Sequence, residues 1–490
     1  MSGNVAPTVS WRSSRVINRR SGWWALCLAA ACGKGPATDD GQRVTEVASL
    51  RGDAPASSPQ GSGTAPSSSN TALPDQTALR EQTALPDQTA AGNNDAIDGS
   101  GALADGEASL PVCLPDARQG QPGYCVRLGD TWFRLWGAIK SGKMPKALAT
   151  DHQGKFLYST NMGSAGNDGI TVYRTDPLRW ERDVELSGSA VEMLVSGDDR
   201  ALWITDARGW GRIKRFDTQT WELQTDIAVP GFPKWMTTTR DGSLLTSLWN
   251  LDGVARVKFP SGEVTTSRTR RGSFTGKTSK NPRGMALSAD ESELYVVNNR
   301  DHSLSVLDVA TLKEKQRVHI GYAPRHIVSG SAPETFFVSL TGEDAAVVWD
   351  AKQRKVTQRF PVGKRPKTIA LSKDGRYLYT ANFVGNSVTV VDVELGQSVT
   401  LRLNVHKPSG LAVRADDKFV YVSGFCSNDI WAIERFRDGE TPTPQLGANR
   451  EYKPCLTCAS TFAGCPFPPG RVPAGDGFNP VKTDAEWGWE

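Results

Sequence analysis

Between residues 145 and 437 the chain is written in short apolar and β-branched runs, each closed by a cluster of Gly, Asp, Asn, Ser or Pro. Brief runs between turn signals predict strands, because an amphipathic helix needs a longer segment with apolar residues every three to four positions. The clearest stretch runs Pro366-Lys367-Thr368-Ile369-Ala370-Leu371-Ser372-Lys373-Asp374-Gly375, then YLYTAN from Tyr377 to Asn382, then SVTVVDV from Ser387 to Val393. A proline opens the first predicted strand, where a ladder donor is not yet required. Asp374-Gly375 supplies a tight turn into the second strand. The third run is apolar at inward and outward positions alike, which predicts a sheet covered on both faces. A second copy starts at Pro282 (PRGMALSAD), continues through Leu294 to Asn298 (LYVVN) and ends with Ser303 to Val309 (SLSVLDV).

The phrase recurs with anchors at Pro145, Ser189, Pro233, Pro282, Pro324, Pro366 and Pro408, at spacings of 44, 44, 49, 42, 42 and 42 residues. A period near 40 to 45 residues with several strands per repeat is that of propeller blades, each a four-stranded antiparallel sheet. The fold expected is therefore all-β, a seven-bladed β-propeller over residues 111–440. The last copy supplies only three strands before the composition changes. Thr131 to Ser141 (TWFRLWGAIKS) is expected to provide its fourth, since Gly142-Lys143-Met144-Pro145 matches Gly363-Lys364-Arg365-Pro366 after an ordinary fourth strand. Joining the two ends of the domain in one blade would close the ring and remove exposed strand edges. With LYVVN and LYTAN in the second-strand position, the chain resembles the YVTN family of β-propellers over about 290 residues. Trp203-Ile204-Thr205-Asp206 departs from that signature in the second repeat.

Composition divides the rest. Residues 1–32 carry Arg12, Arg15, Arg19 and Arg20 without an acid, then an apolar run from Trp23 to Ala31 ending Ala29-Ala30-Ala31-Cys32-Gly33. This is a secretory signal pattern, too short to stay as a membrane span, and Cys32 sits where a bacterial lipoprotein is lipidated. Residues 33–110 are poor in aromatic and β-branched side chains and contain the tandem hexads TALPDQ, TALREQ and TALPDQ at 71–88, the composition of a disordered linker. That linker holds 4 basic against 11 acidic residues, whereas 131–440 holds 43 against 35. The expected picture is a mildly basic body on an acidic leash with an r.m.s. reach of roughly 50 Å. Residues 441–490 form a Pro/Gly/Cys-rich tail. Cys113, Cys125, Cys426, Cys455, Cys458 and Cys465 are an even set, which in an exported chain favours disulfides over zinc. No histidine follows Cys458 in haem-attachment spacing.

The residue after each anchor starts an innermost strand, so these positions should encircle one mouth of the channel. Five of the seven are basic: Lys146, Lys234, Arg283, Arg325 and Lys367. Such a ring focuses positive potential and favours an anionic ligand, and Lys143, Arg365 and Lys407 would add to it. Loops after the second strands carry Trp210, Trp249, Asn250, Asn298, Asn299, His302, Asn382, Phe383, Phe425 and Asn428, expected on the same face. The connection from Thr265 through Arg268, Arg270, Arg271, Lys277 and Lys280 to Arg283 could meet phosphates of a single strand. The histidines His152, His302, His319, His326 and His406 show no metal-ligand spacing, and neither a nucleophile elbow nor a Walker loop is present. No catalytic residue, metal or cofactor is therefore expected. The reading is a cell-envelope or surface binding module, monomeric, held to a membrane only by a lipid anchor and binding a protein, a glycan or another anionic envelope ligand. The alternatives are a lactonase-like propeller hydrolase and a single-stranded nucleic-acid binder.

Overall fold

The computed structural model describes residues 113, 117–163, 168–186, 188–207, 211–267 and 280–444. The signal segment with Cys32, the linker 33–110, Trp210, the basic stretch Arg268 to Lys277, and Cys455, Cys458 and Cys465 lie outside them. Within the described residues there are strands and turns and no helix. They form seven antiparallel sheets, spanning 145–185, 190–228, 233–267, 282–319, 324–361, 366–402 and, for the seventh, 408–437 together with two N-terminal strands. Each innermost strand touches the innermost strands of its two neighbours, so the seven sheets close a ring around one axis.

The seventh sheet carries the closure. Its inner strands Pro408–Val413, Phe419–Gly424 and Asp429–Arg437 are followed by Thr131–Lys140, which pairs antiparallel with Asp429–Arg437, and then by Cys125–Leu128 as a fifth strand. Sequence reasoning reached the fourth strand of this blade and missed the fifth. Arg134 and Glu434, both almost fully buried, form an ion pair across the closing pair of strands. Phe133 sets its ring edge-on against Tyr377 and Tyr379 of the sixth blade, at 5.2 and 6.1 Å. A disulfide joins Cys113 to Cys125 at the start of the fifth strand.

Packing follows the two-sided apolar pattern. Seven separate apolar cores fill the seven gaps between successive blades, and the strand Ser387–Asp392 is buried at every position. Fourth strands are different: Leu223–Ala228 and Glu314–His319 are mostly exposed and polar, which discourages edge-to-edge pairing.

Every innermost strand shares one irregularity. Between the anchor and the third residue beyond it, the register slips by one, as at Pro145/Leu148, Pro233/Met236 and Pro366/Ile369. This is a β-bulge, two residues facing one on the partner strand. The amide freed by it donates to a hydroxyl of the second strand in five blades: Ala147 to Thr160, Glu192 to Thr205, Trp235 to Ser247, His326 to Ser339 and Gly410 to Ser423. Register also corrects one anchor. In the second blade Ala190 faces Asp206 as Pro145 faces Asn161, so Ala190 takes the anchoring place assigned to Ser189. The first two spacings become 45 and 43.

Candidate functional site

The bulge decides what lines the channel. A regular pleat sends neighbouring side chains to opposite faces, but here both the first and the second residue after the anchor reach the axis. All five predicted cations, Lys146, Lys234, Arg283, Arg325 and Lys367, line one cavity of about 30 Å³. The second positions add Glu192, Trp235 and His326 to its walls. Lys143, Arg365 and Lys407 are not among them. Gly410 stands where the seventh blade meets the first, and a Cβ there would come within 2.5 Å of the Lys146 carbonyl oxygen.

One carboxylate faces five cations. Glu192 is paired with Lys146, whose ammonium also donates to the Val191 carbonyl at 3.4 Å. Burial raises the Glu192 carboxyl, but Lys146 and then Lys234 outweigh it and leave its pKa below the ordinary value. Lys146 is itself pushed down, first by burial and then by Arg283 and Arg325, with Glu192 pulling the other way. Lys234, only 3% exposed, is pushed well below the usual lysine range by burial, with Arg283 and Lys146 adding repulsion. Like charges gathered among buried side chains are costly to maintain.

Aromatic faces stand where further carboxylates would otherwise be needed. Lys234 Nζ lies 4.5 Å from the Phe232 ring and 5.3 Å from that of Trp249, which also receives Arg283 at 5.5 Å. Lys367 Nζ lies 3.3 Å from the Phe383 ring, with Lys407 on the same ring at 5.5 Å. The quadrupole of each ring offsets part of the charge without neutralising it. The structure thus brings the predicted cations together with two of the predicted loop aromatics. Phe425 packs on Phe383 at 6.4 Å.

The loop asparagines serve the fold. Asn298 donates to Ser303 and Ser305, and Asn382 to Ser387 and Thr389, inside their own blades. Asn250 and Asn428 accept from the amides of Phe232 and Met144, and Asn299 donates to the Pro324 carbonyl. Among the histidines only His326 lines the channel. Its Nδ1 accepts the Ile369 amide at 3.2 Å, its pKa is lowered by burial to about 4, and its ring meets Trp235 edge-on at 4.2 Å. The neutral ring therefore carries its hydrogen on Nε2. His302 Nδ1 accepts the Ala323 amide away from the cavity. Among the described residues no three His, Cys, Asp or Glu side chains gather as a metal site would require. Cys426 is disulfide-bonded.

This fold and this channel define a seven-bladed β-propeller with a cationic axis. Residues 289–423, from within the fourth blade into the seventh, match the family model of the cytochrome D1 heme domain, a β-propeller family. Antigen Lp49 of Leptospira interrogans serogroup Icterohaemorrhagiae serovar copenhageni (strain Fiocruz L1-130) is 25% identical over 222 residues, covering 44% of this chain and 46% of that protein. The chain thus spans about half the length of the curated relative it matches. Among solved structures, Kuenenia stuttgartiensis hydrazine synthase superposes with a TM-score of 0.52 at 15% identity, over 60% of this chain and 97% of that one. A streptogramin B lyase gives 0.52 at 13% identity, over 62% and 98%. These likenesses are to the fold.

A haem does not fit this axis. Pockets for cofactor-sized ligands occupy about 300–1,000 Å³, whereas the cavity here is about 30 Å³ and walled by charged side chains. His326, the histidine on its wall, spends its Nδ1 lone pair on the Ile369 amide and carries its hydrogen on Nε2, so in this tautomer neither ring nitrogen offers a lone pair to iron.

Proposed function

We propose that this protein is an exported binding module of the cell envelope whose propeller channel receives an anionic group of its ligand. The observation that carries the reading is the convergence of Lys146, Lys234, Arg283, Arg325 and Lys367 on one narrow cavity containing a single carboxylate. Export is supported by the signal pattern before Cys32, by disulfide bonding at Cys113, Cys125 and Cys426, and by the likeness to a protein described as an antigen. Lipidation at Cys32 and the linker 33–110 belong to the same proposal: they would hold the propeller off a membrane surface. A lactonase-like activity finds less support, because the channel gathers cations where such chemistry needs converging carboxylates or metal ligands. Arg268, Arg270, Arg271 and Lys277 of the basic connection that suggested single-stranded nucleic acid lie outside the described residues.

Calorimetric titration of the full chain with inorganic phosphate and sulfate tests the proposal. Binding by the wild type and its loss in a folded Arg283→Gln/Arg325→Gln variant are the expected results. Equal binding by the two proteins would move the site away from the channel. Because Lys146 and Lys234 have lowered pKa values in the free protein, an anion should draw protons onto them. The measured enthalpy should then vary with the ionisation enthalpy of the buffer, with net proton uptake. Affinity should fall as pH rises at values well below 10.5, the ordinary lysine value.

A further inference from the structure

Lys234 differs from its neighbours in the channel. Lys146 has Glu192 as a partner, whereas among the described residues the Lys234 amine has ring faces for contacts and neither a carboxylate nor a carbonyl acceptor. Its side chain is buried on the innermost strand Pro233–Thr238 and lines the cavity together with Arg283 and Arg325. Burial first, then the like charge of Arg283 and Lys146, push its proton off, and outweigh the attraction of Glu192 across the cavity. That combination, a desolvated amine beside other cations, is how imine-forming lysines become nucleophilic at neutral pH.

Resting on the anion-binding reading, we propose that the Lys234 amine captures small 2-oxo acids as an imine, with Arg283 and Arg325 holding the carboxylate beside it. The Nζ lone pair forms a bond to the carbonyl carbon while the C=O π pair moves onto oxygen. A nitrogen proton passes to that oxygen, giving the carbinolamine. Loss of the hydroxyl as water, with the second nitrogen proton, closes the C=N bond. The step exchanges one carbonyl oxygen for nitrogen, releases one water and involves no oxidant or reductant. Glu192 lines the same cavity and is the carboxylate on its walls able to carry the proton from nitrogen to oxygen. The small cavity selects the smallest carbonyl acids.

The test is reductive trapping on the intact full-length chain. Glyoxylate and sodium cyanoborohydride at neutral pH convert an imine into carboxymethyl-lysine, read by peptide mapping. Lys364 is the internal reference, since its side chain is 74% exposed and Asp344 holds it charged. Only the neutral amine attacks a carbonyl, so Lys234, held towards its neutral form, should be labelled faster than Lys364. Excess sulfate should suppress labelling at Lys234 and leave Lys364 unaffected. Labelling of Lys234 no faster than Lys364 would overturn the imine, and mapping the wild type keeps that outcome independent of whether a Lys234→Arg variant folds. Sulfate titration of the same sample separates the two claims: sulfate bound without trapping at Lys234 removes the imine and leaves the anion site, whereas no sulfate binding removes both.

Discussion

At Asp206 the repeat changes its chemistry. In the first, fourth and sixth blades an asparagine ends the second strand and donates to a hydroxyl on the third: Asn161 to Thr171, Asn298 to Ser305 and Asn382 to Thr389. The second blade has Asp206 in that place, and Lys214 occupies the hydroxyl's position in the register. The two form an ion pair at 2.9 Å, 1% and 2% exposed. A neutral staple has thus become a buried charged one. Asp206→Asn removes the carboxylate from a buried ammonium and should cost about 3–5 kcal/mol. The double variant Asp206→Asn/Lys214→Thr restores the chemistry of the other blades and should regain most of that loss. Urea denaturation of the two singles and the double gives the coupling directly, and additive losses would contradict the pairing. The same substitution removes the signature from the second repeat, which is legible in the sequence by its spacing alone: WITD stands where LYTAN stands in the sixth. The channel was half legible for a related reason. Lys146, Lys234, Arg283, Arg325 and Lys367 could be read by counting one residue from each anchor. Glu192, Trp235 and His326 were missed because pleat alternation turns second residues away from the axis, and the bulge that turns them inward leaves no signal in composition.

The element on which the ring depends is the strand Thr131–Lys140. It is separated from its partner Asp429–Arg437 by about 290 residues of chain, so its pairing is the long-range contact that turns an open array into a closed ring. Phe133, fully buried against Tyr377 and Tyr379, is its main apolar anchor. Phe133→Ala should cost about 3–5 kcal/mol by transfer and cavity terms, seen as a lower urea midpoint. A change within about 0.5 kcal/mol would show that the closing strand contributes little, since that is the size of an ordinary surface substitution. The same pair of strands carries a pH dependence. Asp429 faces Lys140 in the register, accepts a hydrogen bond from Ser427, and is pushed by burial from 3.8 up to about 6. The folded chain keeps this proton where the unfolded chain has released it, so stability falls as pH rises from about 4 to about 6. The contribution is at most about 3 kcal/mol. Asp429→Asn should flatten that slope and raise Tm at pH 7 while leaving it unchanged near pH 3.5. This closure could be read from the missing strand of the last repeat and the matching Gly-Lys-x-Pro stretches, whereas the fifth strand, Cys125–Leu128, is too short to stand out.

At the scale of the whole molecule, the seven inter-blade cores hold the ring, and the axis gathers five basic side chains and one carboxylate. Lys146 and Lys234 respond with lowered proton affinity, and Trp249 and Phe383 lend their ring faces. A ligand that binds only the folded channel should stabilise the chain increasingly as its concentration rises, so sulfate should raise Tm more in the wild type than in Arg283→Gln/Arg325→Gln, the shift common to both being the general effect of the salt. The most direct measurement is a crystal grown or soaked in selenate, with anomalous scattering used to find the selenium. A cationic anion-binding channel requires a peak on the propeller axis, within hydrogen-bond reach of Arg283, Arg325 and Lys234. Selenate bound only at the outer surface, with water alone between those three side chains, would contradict it.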